Sequence, residues 1–336
     1  MKTIVVDEGS TYTKIAWLDD AGEIQTSTIS NAFRQGWKTA FAGVVPANYL
    51  IGDTKYCYDA TADQSIDTAN ISYQYSDQSL LAVHHALIST GIAPQEINLV
   101  VTLPITQFYN ADDKQDNVEN INRKVANLSR QLTRMHNAPV FTFANISVMP
   151  ESLPAALSSL DDVQFNHERT LCVDCGGTTL DYGVIVGAYD DLSELGGNEK
   201  VGVVSVSQRV RAIMYKAGSE INQSMSNQLI ANRHNHDFVA SVVNDHDMLD
   251  DVLLEMESAI NSYNHAVISE VKKFEGKVQR ILVCGGGAYL LIDRLKEEFP
   301  RIANKIKVIP DPQNALAVEI LKIEMSRETE AELVAE

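Results

Sequence analysis

The stretch VDEGSTYTK brings Asp7, Glu8, Gly9, Ser10, Thr11 and Lys14 together at the exit of a short apolar run. Glycine permits a tight turn and a close approach of backbone to an anion, and successive N–H groups in such a turn form an anion-binding nest. Ser10 and Thr11 add hydroxyl donors and Lys14 adds a charge, a set suited to phosphate oxygens. Acids beside phosphates require a cation between them. Asp7 therefore points to Mg²⁺, an ion that keeps several of its waters and is held through them.

The theme returns in LCVDCGGTTLDYGVIV, residues 171–186. Asp174 takes the place of Asp7, and Gly176, Gly177, Thr178 and Thr179 offer a second clamp. Either hairpin alone is a weak signal, because D-x-G-S/T turns are common; two of them half a chain apart are specific. A third element, ILVCGGGAYLL, leads a strand through Gly285, Gly286 and Gly287 into a helix. It either lets backbone lie flat against a planar or phosphorylated group or serves tight strand–helix packing. It is neither a Walker A loop nor a Rossmann fingerprint. A fourth, VMPESLP, sets Glu151 where a strand gives way to a helix. That carboxylate either orients water onto a terminal phosphate or is a helix N-terminal acid favoured by the macrodipole.

Positioning these groups requires strands and helices in alternation. Residues 3–6, 12–18 and 23–29 read as strands of a meander, and 32–60 as short aromatic-rich pieces. SLLAVHHALIST carries a helical stripe stopped by Gly91 and Pro94, with one of His84 and His85 in the core and the other at its boundary. INLVVTLP reads as a buried strand. Val118, Ile121, Val125, Leu128, Leu132 and Met135 are spaced as one amphipathic, core-facing helix. FANISVMPESLPAALSSL reads as strand, turn and helix. Residues 219–250 are polar, and their histidines and aspartates lack consistent ligand spacing, so a solvated, helix-rich insertion is expected. Residues 251–273 read as helix, and two strand–helix units close the chain. The two halves resemble each other, which indicates duplicated domains.

Composition narrows the function. The chain is long enough for two domains. The net charge of -18 excludes binding duplex DNA through a basic face, so any DNA contact requires an adapter. The longest cationic cluster is Arg123–Lys124 with Arg130 and Arg134, read on one helix. No stretch approaches the roughly 20 apolar residues of a membrane span, and the N-terminus reads as a strand, so a cytosolic location is expected. Cys172 and Cys175 form C-x-x-C, but residues three apart on a strand face opposite sides. Buried small side chains, not redox or zinc chemistry, are expected there.

The order of motifs resembles the actin/sugar-kinase/heat-shock-chaperone ATPase superfamily. Within it, DEGSTYTKIAW, NISYQYSDQSLLAVHHALISTG, VVTLPITQFYN, VMPESLPA, DCGGTTLDYG and VCGGGA, in family order over nearly the whole chain, resemble the ParM (StbA-type) plasmid-segregation actins. The resemblance implies an α/β, actin-like (ribonuclease H-like) fold of duplicated domains with nucleotide in the interdomain cleft. The domains would span 1–165 and 166–312, with a C-terminal helix at about 313–336 packing back on the first. It implies ATP or GTP with Mg²⁺, an NTPase that polymerises with itself, and plasmid segregation in the bacterial cytoplasm. A ParR-type adapter on a centromere-like site would contact the DNA. Carried over by residue, Asp7 and Asp174 serve Mg²⁺ and water, and Glu151 activates or positions the attacking water. Gly9, Ser10, Thr11 and Lys14 hold phosphates, Gly176 to Thr179 form the second clamp, and Gly285 to Gly287 line the nucleoside. Two departures stand out. The family's last helix usually carries a glycine where NALAVEIL has Ala315, Ala317 and Glu319, and Cys175 stands where a larger apolar residue is expected. The alternative is a sugar or carboxylate kinase of the same superfamily. A chaperone ATPase would need a substrate-binding domain, and a non-catalytic scaffold would be expected to lose its clamp acids.

Overall fold

In the computed structural model, residues 1–336 are described except 42–44, 61–65, 67, 69, 162, 164 and 336, with backbone only at 331–335. Alternating apolar residues build the opening meander of β1 (Thr3–Glu8), β2 (Tyr12–Leu18) and β3 (Ile24–Ser30). A side sheet follows with β4 (Phe33–Gln35), β5 (Asn48–Ile51) and β6 (Thr54–Tyr58). Then come α1 (Asp77–Ser89), β7 (Glu96–Leu103), α2 (Ile105–Phe108), α3 (Val118–Leu128), β8 (Thr133–Arg134) and β9 (Thr142–Pro150). The second half starts with β10 (Arg169–Cys175), β11 (Leu180–Val186) and β12 (Asp191–Asn198). It continues through α4 (Val204–Lys216), α5 (Gln223–Ala231), α6 (His236–Val242) and α7 (Leu249–Val271). β13 (Arg280–Cys284), α8 (Ala288–Glu298), β14 (Ile306–Val308) and α9 (Ala315–Ala335) complete it.

The duplication is visible in the strand order. One sheet runs β3-β2-β1-β7-β9 and the other β12-β11-β10-β13-β14. In each, the leading hairpin is antiparallel and the crossover strands are parallel. Alternation sends Ile4 and Val6 to the core under α1, and Val5 to a second core shared by both sheets, α9 and the turn at Leu153–Ser159. Likewise Leu171, Val173 and Cys175 face the core under α4 and α7, while Cys172 joins the shared core. The C-x-x-C side chains therefore lie on opposite faces, and all four cysteines are buried and free. On α9, Ala317 is fully buried, and the carboxylate of Glu319 accepts the Ser158 hydroxyl at 2.8 Å.

Several readings of the sequence change. The helix read over 118–135 ends at Leu128, and residues 133–134 pair with β5 instead. Its buried face is Lys124, Asn127 and Leu128, whereas Val118 is 62% exposed. The cause is the fully buried Glu8, which draws Lys124 inward as its counter-charge. The cationic cluster accordingly dissolves: Arg123 covers the ring of Tyr75, Arg130 pairs with Asp77, and Arg134 lies on β8. The stretch after Glu151 forms a 3₁₀ turn, Leu153–Ser159, in place of an α-helix. Within residues 219–250, Leu229 and Val239 are fully buried anchors, so the insertion is seated on the core under α4 and α7.

Both histidines of α1 are buried, not one alone, because the side sheet covers the helix on its outer flank. His85 Nδ1 meets the Tyr49 hydroxyl at 2.7 Å and its ring stacks on Tyr58. Burial pushes both imidazoles down to about 4. The unfolded chain then binds more protons between about pH 6.5 and 4, so this contribution lowers stability as pH falls through that window. We predict that His85→Gln, which keeps a partner for Tyr49, removes part of this acid sensitivity. Between pH 7.5 and 5.5 the parent should lose about 1 kcal/mol more than the variant in urea unfolding. The comparison with the variant isolates His85 from the cleft carboxylates, whose raised values act in the opposite direction.

Candidate functional site

A cleft of about 600 Å³ opens between the two sheets. It is lined by Asp7, Gly9, Ser10, Thr11 and Lys14 from the first hairpin, Glu151, and Asp174 to Thr179 from the second. Gly285 and Gly286 also line it. The antiparallel register explains the pairing at its floor: Asp7 lies opposite Lys14, and Asp174 opposite Asp181. Lys14 Nζ contacts Asp7 Oδ2 at 2.7 Å, and the Thr102 hydroxyl donates to Asp7 Oδ1 at 3.0 Å. The Asn31 amide donates to the carbonyls of Gly9 and Ser10 at 2.6 and 3.1 Å and so pins the first turn. The second turn is fixed by α4, where the Val204 N–H donates to the Gly177 carbonyl at 2.8 Å. The turns meet through a hydrogen bond between the hydroxyls of Ser10 and Thr178.

Glu151 follows β9 directly and is held by its N–H on the Leu103 carbonyl at 2.8 Å. The next residue, Ser152, sits at φ 71° and ψ -70°, and the Leu153 N–H bonds back to the Glu151 carbonyl at 2.9 Å. That is a strained γ-turn, a conformation that clusters at functional sites. It aims the carboxylate into the cleft, where its buried Oε1 has no partner.

The electrostatics are lopsided. Burial, with Asp7, Asp181 and Asp174 nearby, holds Glu151 well above the usual carboxylate range. Burial and the charges of Asp181 and Asp7 push Asp174 up to about 7, and burial pushes Asp181 up to about 6. Burial alone would lower Lys14, but Asp7, Asp174 and Glu151 hold it above the ordinary lysine range. Four acids around one lysine, one with an orphaned oxygen, fit an added cation. Among the described residues no three His, Cys, Asp or Glu side chains are close enough to hold a metal directly. The donor set therefore suits Mg²⁺ carried on water and phosphate oxygens.

The glycines divide by role. A Cβ on Gly285, at φ 81°, would stand 2.2 Å from Asp174 Oδ1, and one on Gly287 would meet Val203 at 2.7 Å. Gly285 thus lets the turn close on the end of β10, Gly287 lets it close on Val203 and Tyr263, and Gly287 is absent from the cleft lining. A Cβ on Gly286 would meet nothing within 4 Å and project into open space. Gly286→Ala should melt like the parent and bind nucleotide more weakly. Gly285→Ala should lose at least about 1 kcal/mol of stability from the left-handed backbone alone. Thermal melts paired with nucleotide titration separate the two.

Asp181, Thr102, Asn31 and Tyr73 were not singled out by the sequence. Asp181 had a signal, since hairpin register sets it across from Asp174; the other three had none.

Two family profiles match the chain in tandem: "Plasmid segregation protein ParM, N-terminal" over residues 1–162, and "Plasmid segregation protein ParM, C-terminal" over residues 165–323. The chain belongs to the ParM family. No curated protein sequence matches this ParM-family chain. Among solved structures, a 15-stranded ParM filament from Clostridium botulinum is similar over 97% of this chain and 99% of its own, with TM-score 0.70 at 15% identity. An archaeal actin homologue in complex with ADP is similar over 95% and 97%, with TM-score 0.64 at 16% identity. The filament protein AlfA from a B. subtilis plasmid is similar over 96% and 98%, with TM-score 0.52 at 16% identity. Likeness at such identities establishes the fold, which is actin-like. Among the described residues, no helix is long and apolar enough to cross a membrane.

Proposed function

We propose that this ParM-family chain is a nucleoside-triphosphatase that polymerises into dynamic filaments and segregates plasmid DNA through a ParR-type adapter. The observation that carries the reading is the meeting of two glycine–hydroxyl turns over an acid, Glu151, with a buried, unpartnered oxygen. The two matching family profiles and the filament-forming structural relatives support it. The acidic net charge supports an adapter in place of direct DNA contact.

In this reading, residues 1–165 with the C-terminal helix close against 166–312 around ATP or GTP. Gly9, Ser10, Thr11 and Lys14 hold phosphates from one side, and Gly176, Gly177, Thr178 and Thr179 from the other. Asp7 and Asp174 would hold Mg²⁺ there, through its water ligands. Bound Mg²⁺ would neutralise charge developing on the phosphate oxygens. Glu151 accepts a proton from the attacking water, and burial beside Asp7, Asp181 and Asp174 raises its proton affinity. Positioning and electrostatics supply most of the rate. Filament contacts that prefer the closed cleft make assembly and nucleotide binding raise each other.

Electron microscopy of the purified chain with Mg²⁺ and a non-hydrolysable ATP analogue tests the reading. Filaments are the expected result. Dispersed particles at concentrations that saturate the cleft would overturn it.

A further inference from the structure

Gln74 lies in the 3₁₀ turn Ile71–Tyr75, is nearly buried, and lines the cleft. Its Oε1 accepts from Lys124 Nζ at 2.5 Å. Lys124 is fully buried on α3, and its ammonium also contacts Glu8 Oε1 and reaches the Ser79 hydroxyl at 3.5 Å. The Ser79 hydroxyl itself donates to Glu8 Oε1 at 3.0 Å. An ammonium carries three N–H donors and no acceptor. Gln74 Oε1, Glu8 Oε1 and Ser79 Oγ account for all three, so Lys124 offers nothing directly to the cleft.

Burial pushes Lys124 down to about 7, and its Nζ donates to Gln74 Oε1, so the oxygen of the carboxamide faces Lys124. The planar carboxamide then turns its NH₂ the other way. Among the described residues, no side-chain hydrogen bond takes up that NH₂, and Gln74 lines the cleft. The neighbours in the cleft indicate which end it faces. The adjoining Tyr73 hydroxyl accepts from Asn31, whose amide also pins the first phosphate turn. Glu8, the charge that holds Lys124, directly follows Asp7 on β1.

We propose that Gln74, oriented by Lys124, donates its amide N–H to the terminal phosphate of a bound nucleoside triphosphate and so distinguishes triphosphate from diphosphate. Beyond the hydroxyls of the two turns, the cleft presents carboxylates and Lys14, whose ammonium also pairs with Asp7. A neutral donor with both hydrogens free fits the third phosphate, and it adds no charge to a crowded site. Gln74 would be a binding residue, with Lys124 a positioning residue that acts through it. The link also joins the third phosphate to α1 and α3, outside the cleft. The inference rests on the nucleotide reading above.

Calorimetry with Mg²⁺ and either a non-hydrolysable ATP analogue or ADP tests it in the parent, Gln74→Met and Gln74→Glu. A hydrogen bond to a charged group is worth roughly a tenfold to hundredfold change in affinity. Gln74→Met, which keeps the side chain's length, should weaken the analogue by about tenfold or more while ADP stays within about twofold. Gln74→Glu, which replaces the donor by an acceptor, should weaken the analogue further. Retained ADP affinity serves as the control for folding of the cleft. Equal losses for both nucleotides, or no loss for the analogue, would overturn the role of Gln74 and leave the nucleotide reading intact. A parent that binds neither nucleotide would overturn both.

Discussion

Glu151→Gln should slow phosphate release by about two orders of magnitude or more while assembly with ATP or GTP continues, leaving filaments that outlive those of the parent. Loss of a positioned general base typically costs 10²–10⁴ in rate. Several features place Glu151 within that range. Its backbone is fixed by β9 and by the γ-turn at Ser152, and one carboxylate oxygen is buried without a partner. Such an oxygen carries a desolvation cost that persists only where another group is to meet it. The amide keeps shape and removes basicity, so nucleotide affinity should stay within a few-fold. A single-turnover phosphate-release assay reads the effect; release at the parental rate would remove Glu151 from the mechanism.

Asp174→Asn carries the second large effect, with opposite signs on activity and stability. If Asp174 helps to hold the cation, hydrolysis should fall by about 10²-fold or more and lose most of its dependence on Mg²⁺ concentration. The nucleotide-free protein should nevertheless become more stable above neutrality. Asp174 is pushed up to about 7 by burial, Asp181 and Asp7. The folded state therefore binds more protons than the unfolded state between about pH 4 and 7, and stability is lost as pH rises through that window. Asparagine removes that loss, so at pH 8 the variant should be more stable by a few kcal/mol in the absence of Mg²⁺ and nucleotide. Denaturant melts at pH 5 and 8 measure the difference. A variant that keeps Mg²⁺-dependent hydrolysis would contradict the assignment.

That the two turns belong together was legible because the same residue types recur half a chain apart. Acids, glycines and hydroxyls at two strand ends have few other reasons to recur together, and the duplicated sheets bring those ends face to face. Periodicity was less reliable where a buried charge competes with it. The stripe from Val118 to Met135 predicts a longer, apolar-faced helix, but Glu8, far off in sequence, pairs with Lys124 and turns the buried face toward Lys124 and Asn127. His85 was half legible: its place in an apolar helix was clear, while its burial depends on a side sheet whose packing no local pattern announces. The three glycines at 285–287 look alike in sequence, yet only Gly286 has open space before it. Neighbours set that distinction: Asp174, Cys175 and Val203 crowd the other two.

The central claim, that nucleotide hydrolysis in this cleft times a polymer, is tested most directly by recording light scattering and phosphate release together. ATP and GTP would be added in turn to the purified chain with Mg²⁺, followed by a non-hydrolysable analogue. The account predicts scattering that rises with a natural nucleotide, then decays as phosphate appears, and persists with the analogue. Phosphate release with flat scattering throughout would contradict it and favour the small-molecule kinase.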